Sequence, residues 1–115
     1  MNLATVSLEE KVQKQIKDIV DKIASSFPAD EIILFGSYAY GIPDNSSDID
    51  LCIITSENRK RKIEIIKEIR KAIVSIIYIP VDLLIYERQD FYERASLNTT
   101  LEFKIKNEGV KLYEQ

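Results

Sequence analysis

The chain has 115 residues, of which 45% are hydrophobic and 30% charged, and its formal net charge is -3. This length supports one hydrophobic core, and the composition is that of a soluble globular domain rather than of a disordered or fibrous chain. The net charge excludes a chain-wide electrostatic grip on nucleic acid, because such binding depends on an excess of Lys and Arg. We expect a single domain, residues 1–115, without direct nucleic-acid binding.

The sequence carries no pattern that predicts a membrane span or secretion. No apolar run approaches the ~20 residues of a membrane helix, and the N-terminus lacks the basic start and apolar stretch of a signal peptide. The single cysteine, Cys52, lies in an apolar run, which favours a buried thiol over a reactive one. We therefore expect a cytoplasmic protein that does not enter a membrane.

The first predicted element is an amphipathic helix that begins at Ser7. Ser7 is followed three residues later by Glu10, which is the pattern of a capping box. Apolar residues then recur at helical spacing up to Ile23, and Pro28 interrupts the pattern.

A buried strand and a turn follow this helix. The segment "EIILF", Glu31–Phe35, is apolar and rich in branched residues, which is typical of a buried strand. Gly36 and Ser37 stand at its carboxyl end, and a few residues that suit a short helix precede a cluster of turn-forming residues. The order is strand, turn, short helix and loop.

Two further strands and a long helix complete the predicted α/β pattern. The segment "DIDLCII" begins a second strand at Asp48, and isoleucines at helical spacing predict a helix over residues 57–76. After Pro80, residues 81–86 predict a third strand that contains one acid, Asp82. The remainder predicts one or two helices that stop at Gly109, and a short terminal strand "VKLYE".

The aspartates in the second and third strands form a candidate metal site. Because side chains alternate along a strand, Asp48 and Asp50 project from the same face about 6.6 Å apart. Two such carboxylates repel unless a cation or hydrogen bonds offset their charge, and oxygen ligands suit Mg²⁺ or Mn²⁺. If the third strand neighbours the second, Asp82 faces the same pocket, and three acids can hold two ions roughly 3.5–4 Å apart.

Gly36 and Ser37 form a candidate phosphate site beside these acids. A glycine allows close approach of the backbone to a phosphate, and a serine at the start of a short helix adds a hydroxyl and free N–H groups. Each motif alone also suits an ordinary turn, a solvated strand start or an edge acid. Their occurrence in this order favours a site for a metal and a nucleotide.

The combined pattern, G-S-x-x-x-G followed by S-D-x-D-L and a later acid, resembles the nucleotidyltransferases of the DNA polymerase β superfamily. The matching residues are Gly36, Ser37, Gly41, Ser47, Asp48, Asp50, Leu51 and Asp82. The small size and the ending "NEGVKLYE" resemble the minimal nucleotidyltransferase (MNT) group, the antitoxin half of HEPN/MNT toxin–antitoxin pairs. The resemblance implies a polymerase β palm-like α/β fold, with a small mixed sheet and helices mainly on one face.

The resemblance also implies roles for these residues. Asp48, Asp50 and Asp82 would form the catalytic and metal-binding set for two Mg²⁺ ions, with Mn²⁺ as a substitute, and Asp82 would help to activate the attacking hydroxyl. A second set would bind ATP, and it consists of Gly36, Ser37 and Ser47. The reaction would transfer AMP to a tyrosine hydroxyl of a HEPN toxin, a helical ribonuclease, and release pyrophosphate. Family members often carry basic side chains where this chain has Tyr38 and Tyr40, and we expect these two tyrosines to pack.

Three alternatives remain open at this point. The first is an antitoxin that neutralises its toxin by binding alone. The second is a nucleotidyltransferase with a small-molecule acceptor, and the third is a metal-dependent glycosyltransferase, in which a D-x-D motif also binds a metal. A homodimer and a hetero-oligomer with the toxin are both compatible with the sequence.

Overall fold

The computed structural model describes the backbone of residues 3–115 and the side chains of residues 10–115. The elements follow one another in the order α1 (Leu3–Ser26), β1 (Glu31–Phe35), α2 (Ser37–Tyr40), β2 (Ile49–Thr55), α3 (Lys62–Ile73), β3 (Val81–Glu87), α4 (Arg88–Ala95), α5 (Leu101–Glu108) and β4 (Val110–Glu114). None of the described helices is both long enough and apolar enough to cross a bilayer.

The four strands form one mixed sheet in the order β3-β2-β1-β4. Strand β1 runs antiparallel to both β2 and β4, whereas β2 and β3 are parallel. Two parallel strands need a crossover connection, and α3 provides it. The predicted α/β fold with a small mixed sheet is therefore confirmed.

Helices cover both faces of the sheet. Alternation along β1 directs Ile32 and Leu34 to the core beneath α1 and α3, and Ile33 and Phe35 to a second core beneath α4 and α5. The two longer helices thus share one face, and the two short helices cover part of the other. Cys52 is buried in the second core, where burial raises the pKa of its thiol to about 12.

Several predicted boundaries are wrong. Helix α1 begins at Leu3, so Ser7 lies within the helix rather than at a capping box, and its side chain lies outside the described residues. Leu3 and Ala4 are strong helix formers, and the helix extends over them. Strand β2 begins at Ile49, one residue after Asp48.

Helix α3 is also shorter than the predicted residues 57–76. Before it, Thr55 Oγ1 accepts the backbone N–H of Glu57 at 3.0 Å, and the Glu57 carboxylate accepts the N–H of Arg59 at 2.8 Å. Such local side-chain hydrogen bonds compete with the helix. After Ile73 the α-helix gives way to a tighter turn, in which the N–H of Ile76 donates to the carbonyl of Ile73, three residues earlier, at 3.0 Å.

A buried glutamine holds the segment that leads into β3. The side chain of Gln15, on α1, is 1% exposed. Its amide nitrogen donates to the carbonyl of Ile76 at 3.1 Å, and its oxygen accepts the N–H groups of Tyr78 at 2.6 Å and Ile79 at 3.2 Å. The next residue, Pro80, accepts the N–H of Ile49 at 2.9 Å, so this segment is tied to both α1 and β2.

Candidate active site

The parallel pairing of β2 and β3 brings two of the predicted acids side by side. Asp50 and Asp82 are register partners, so their side chains leave the sheet on the same face. This is the face of Phe35, which pairs with Asp50 across β1 and β2. Asp48 lies immediately before β2 and is half-buried. The structure therefore gathers the three acids at one end of the sheet.

The electrostatics of this end reflect the close approach of the acids. The pKa of Asp50 is raised from 3.8 to about 6, mainly because the carboxyl is partly buried, and further because the carboxylates of Asp82 and Asp48 lie nearby. Asp50 is half-buried and Asp82 is exposed. A cation at this position would relieve the repulsion.

Gly36 lies directly against Asp50. Its φ of 75° and ψ of -154° belong to a region that is essentially restricted to glycine. A Cβ atom at this position would overlap Oδ2 of Asp50. The turn after β1 thus requires glycine for two reasons, its backbone conformation and its contact with an acid of the site.

Helix α2 begins at this turn. The carbonyl of Gly36 accepts the N–H groups of Ala39 and Tyr40, both at 3.0 Å. Ser37 is the first helical residue, and its hydroxyl makes no hydrogen bond to any residue of the described part of the chain. The first N–H groups of a helix have no acceptor within the helix. Ser37 therefore presents polar groups beside the acids.

The two tyrosines of α2 pack, as predicted, although on different sides. Tyr38 packs against the core beneath α1 and α3, whereas Tyr40 packs against the core beneath α4 and α5. The helix thus straddles the end of the sheet, and only Tyr40 lies on the face of Asp50.

Ser47, the third residue predicted to bind nucleotide, is engaged in the loop before β2. Its hydroxyl accepts the N–H of Asp44 at 2.8 Å, and its own N–H donates to the carbonyl of Asp44 at 3.1 Å. These bonds shape the turn that delivers Asp48 to the sheet. The nucleotide-binding role of Ser47 stays a prediction.

A groove of about 920 Å³ opens on the other side of this loop. It is lined by α1, by Tyr38 and Ser47, and by the segment before β3. The three acids are not among its lining residues. The groove adjoins the acid cluster at Ser47 without containing it.

The donor set fits a hard divalent cation. Over residues 10–115, no three carboxylate, thiol or imidazole side chains lie close enough together to hold a metal ion between them. Mg²⁺ does not need a complete protein cage, because it usually binds one or two carboxylates and completes its shell with waters and substrate phosphates. The paired carboxylates of Asp50 and Asp82, with Asp48 beside them, match that requirement.

The comparison with protein families shows the family of this chain. The family model of the nucleotidyltransferase domain matches residues 13–112. The chain belongs to the nucleotidyltransferase domain family. The resemblance to nucleotidyltransferases found in the sequence is thereby confirmed, whereas the roles of the acids in this nucleotidyltransferase stay a prediction.

Relatives of this nucleotidyltransferase include proteins from two archaea. A candidate protein adenylyltransferase of Methanocaldococcus jannaschii is 38% identical over 74 residues, which cover 62% of this chain and 50% of the relative. The match thus spans half the length of that relative. The crystal structure of a candidate nucleotidyltransferase of Sulfolobus solfataricus matches with a TM-score of 0.64 at 19% identity. The match covers 100% of this chain and 91% of the Sulfolobus chain.

Two solved toxin–antitoxin complexes contain chains of the same fold. One was determined with AMP-PNP and matches with a TM-score of 0.55 at 24% identity, covering 88% of this nucleotidyltransferase and 73% of that chain. The other is a mutant MntA–HpeT complex, with a TM-score of 0.53 at 23% identity, covering 93% and 73%. At these identities the likeness extends to the fold alone.

One cation near the site was not singled out from the sequence. The Nζ atom of Lys104, on α5, lies 4.8 Å from the ring centroid of Tyr40. Lys104 is one of two exposed lysines of α5, and no motif marks it. Only the packing of α5 against β1 reveals its position.

Proposed function

We propose that this nucleotidyltransferase is a metal-dependent protein adenylyltransferase that transfers AMP from ATP to a tyrosine hydroxyl of a HEPN ribonuclease toxin, and thereby acts as its antitoxin. The observation that carries the proposal is the pairing of Asp50 with Asp82 directly beside Gly36. The M. jannaschii relative, a candidate protein adenylyltransferase, supports the reaction, and the fold shared with toxin–antitoxin complexes supports the partner.

The residues of the site divide into a metal-binding set and a phosphate-binding set. Asp50 and Asp82, with Asp48, would hold two Mg²⁺ ions. When bound, the ions would neutralise the negative charge that develops on the phosphates during transfer. The backbone at Gly36 permits close approach of the triphosphate, and Ser37 offers its hydroxyl and its N–H.

The transfer itself is an in-line displacement at the α-phosphorus of ATP. The tyrosine oxygen forms a new bond to this phosphorus, the bond to pyrophosphate breaks, and the tyrosine proton passes to a carboxylate. Asp82 is the exposed member of the acid set, and we assign this proton to it. Because phosphoryl transfer depends on positioning and electrostatic stabilisation, the site needs no covalent nucleophile.

The proposal is tested by incubating the protein with labelled ATP, Mg²⁺ and the product of the neighbouring gene. We expect label on the neighbour with the wild type and none with Asp50→Asn. Asp18→Asn is the matched control, because it removes the same charge from an exposed pair with Lys14 on α1. Mass spectrometry of the labelled neighbour identifies the modified residue.

Each outcome separates the candidate functions. Label that requires Asp50 and maps to a tyrosine supports protein adenylylation. An unlabelled neighbour that binds equally to the wild type and to Asp50→Asn contradicts it and favours an antitoxin that acts by binding. Metal-dependent pyrophosphate release without label on the neighbour favours a different acceptor.

A further inference from the structure

The segment predicted to bind the nucleotide phosphates, residues 36–47, contains neither Lys nor Arg. Helix α2 reads "SYAY", and the loop over residues 41–47 contains Asp44 but neither Lys nor Arg. A triphosphate tail brings several negative charges to a site that already holds three carboxylates. Like charges at this separation repel, so a cation from another element would lower the energy of the complex.

Helix α5 places a lysine at this position. Strand β4 follows α5 directly, and its first residue, Val110, pairs with Leu34, two residues before Gly36. A Cβ atom on Gly109 would touch the carbonyl of Leu34 and the side chain of Ile33. The carboxyl end of α5 therefore lies at the end of β1 where the acids are. One turn back along α5, the Nζ atom of Lys104 stands over the ring of Tyr40.

The ammonium group of Lys104 is available for a ligand. It makes no hydrogen bond or ion pair with any side chain or carbonyl among residues 10–115, and its one described contact is the face of Tyr40 at 4.8 Å. An ammonium group on an aromatic face keeps the N–H groups that point away from the ring free to donate. Tyr40 in turn donates its backbone N–H to the carbonyl of Gly36, so the residue that contacts the lysine lies one helical turn from the predicted phosphate site.

Other cations of the described chain that contact aromatic rings lie elsewhere. Arg88 and Lys106 both contact Tyr92, whose hydroxyl binds Glu31 at the opposite end of β1. Lys62 contacts Tyr86, which lies four residues along β3 from Asp82. Among these contacts, only that of Lys104 involves a residue of α2.

We propose that Lys104 binds the triphosphate tail of the nucleotide, with the ring of Tyr40 holding its ammonium group beside Gly36. The inference rests on the proposed function, because it takes ATP as the nucleotide. Lys104 thus supplies from α5 the positive charge that α2 lacks. Loss of a charge-assisted hydrogen bond from Lys104 to the phosphates is expected to weaken nucleotide binding about tenfold or more.

The test is calorimetric titration of AMP-PNP and of AMP, each with Mg²⁺, into the wild type and three variants. We expect Lys104→Gln to weaken AMP-PNP binding about tenfold and to leave AMP binding unchanged, because AMP lacks the β- and γ-phosphates. Lys106→Gln is the matched control, since it removes the same charge two residues away on the same helix. Lys104→Arg restores a cation and should retain most of the affinity. Thermal unfolding of each variant verifies that it folds.

The outcomes distinguish this inference from the proposed function. Equal AMP-PNP affinity for the wild type and Lys104→Gln overturns the inference alone. An equal loss of AMP-PNP and AMP affinity also overturns it, because the lysine would then act on another part of the nucleotide. If the wild type binds neither nucleotide, the proposed function fails and this inference fails with it.

Discussion

Gly36 packs against the carboxylate of Asp50 with no room for a side chain between them. The contact joins the turn after β1 to the acid in the middle of the cluster, so the predicted phosphate site and the predicted metal site constrain each other. A change at either residue is expected to alter the other.

Gly36→Ala tests this contact. The backbone conformation at Gly36 disfavours any residue with a Cβ atom, by about 1–3 kcal/mol, and the added methyl group would overlap Asp50 Oδ2. We expect a loss of stability of at least this size and a loss of transferase activity, because Asp50 must move. Urea denaturation measures the first effect, and labelling with ATP measures the second.

A double variant separates the strain of the backbone from the overlap. In Gly36→Ala/Asp50→Ala, the carboxylate is absent, so only the backbone strain remains. The two single changes should therefore not add, and the double variant should be more stable than their sum predicts. Strict additivity would contradict the contact between Gly36 and Asp50.

The raised pKa of Asp50 predicts how stability depends on pH in the metal-free protein. Folding favours the protonated carboxyl, because its pKa is about 6 in the folded state and 3.8 in the reference state. The contribution of Asp50 therefore declines as the pH rises through this window. Asp50→Asn lacks the charge, so it should melt at a higher temperature than the wild type above pH 6 and at the same temperature below pH 3.8.

Calorimetry across this pH range, with a chelator present, measures the difference between the two proteins. Water screens a partly exposed carboxyl, so we expect a difference of only a few degrees. Addition of Mg²⁺ should raise the Tm of the wild type and not that of Asp50→Asn, because a ligand that binds the folded state stabilises it. A melting-temperature difference that is independent of pH would contradict the raised pKa of Asp50.

The Gln15 contacts predict a stability effect at some distance from the acids. Gln15→Leu would leave the N–H groups of Tyr78 and Ile79 and the carbonyl of Ile76 without their partner. We expect a loss of about 2–4 kcal/mol in the free energy of unfolding. The control is Gln13→Leu on the exposed part of α1, for which we expect a change within about 0.5 kcal/mol. Similar urea midpoints for the two variants would contradict the role of Gln15.

A buried glutamate at the far end of β1 predicts a change of stability without a change of chemistry. Glu31 is 1% exposed. Its carboxylate accepts a hydrogen bond from the Tyr92 hydroxyl at 2.6 Å and forms ion pairs with Arg88 and Lys111. Burial would raise the pKa of Glu31, but the hydrogen bonds from Tyr92 and Lys111 and the charges of Lys111 and Arg88 lower it overall. These contacts lie at the end of β1 opposite Gly36.

Tyr92→Phe removes one donor to this carboxylate. We expect a loss of about 1–3 kcal/mol in the free energy of unfolding, because a buried charge is left less well satisfied, and an unchanged rate of AMP transfer. Tyr78→Phe removes a hydroxyl that donates to the carbonyl of Lys11 at an exposed site, and there we expect at most about 0.5 kcal/mol. A fall in transfer rate with Tyr92→Phe at unchanged ATP affinity would contradict the separation of the two ends.

Local patterns in the sequence were sufficient for most elements of the fold. The run Glu31–Phe35 is a strand with the predicted bounds, and the terminal strand after Gly109 is also confirmed. Helix ends were less predictable. The start of α3 depends on the carboxylate of Glu57 and the hydroxyl of Thr55, which bind nearby backbone, and periodicity does not reveal such competition.

For the site, the sequence alone determined the kind of chemistry. Period-two alternation predicts Asp48 and Asp50 on one side of a strand, although β2 begins at Ile49, and a Gly-Ser turn before them allows a close approach of the backbone. The tertiary structure decided which groups meet. The parallel register pairs Asp50 with Asp82, and the packing of α5 on β1 brings Lys104 to Tyr40. These contacts join residues far apart in the chain. Their energies depend on the burial of the groups and on the distances between them, and no local sequence pattern encodes either quantity.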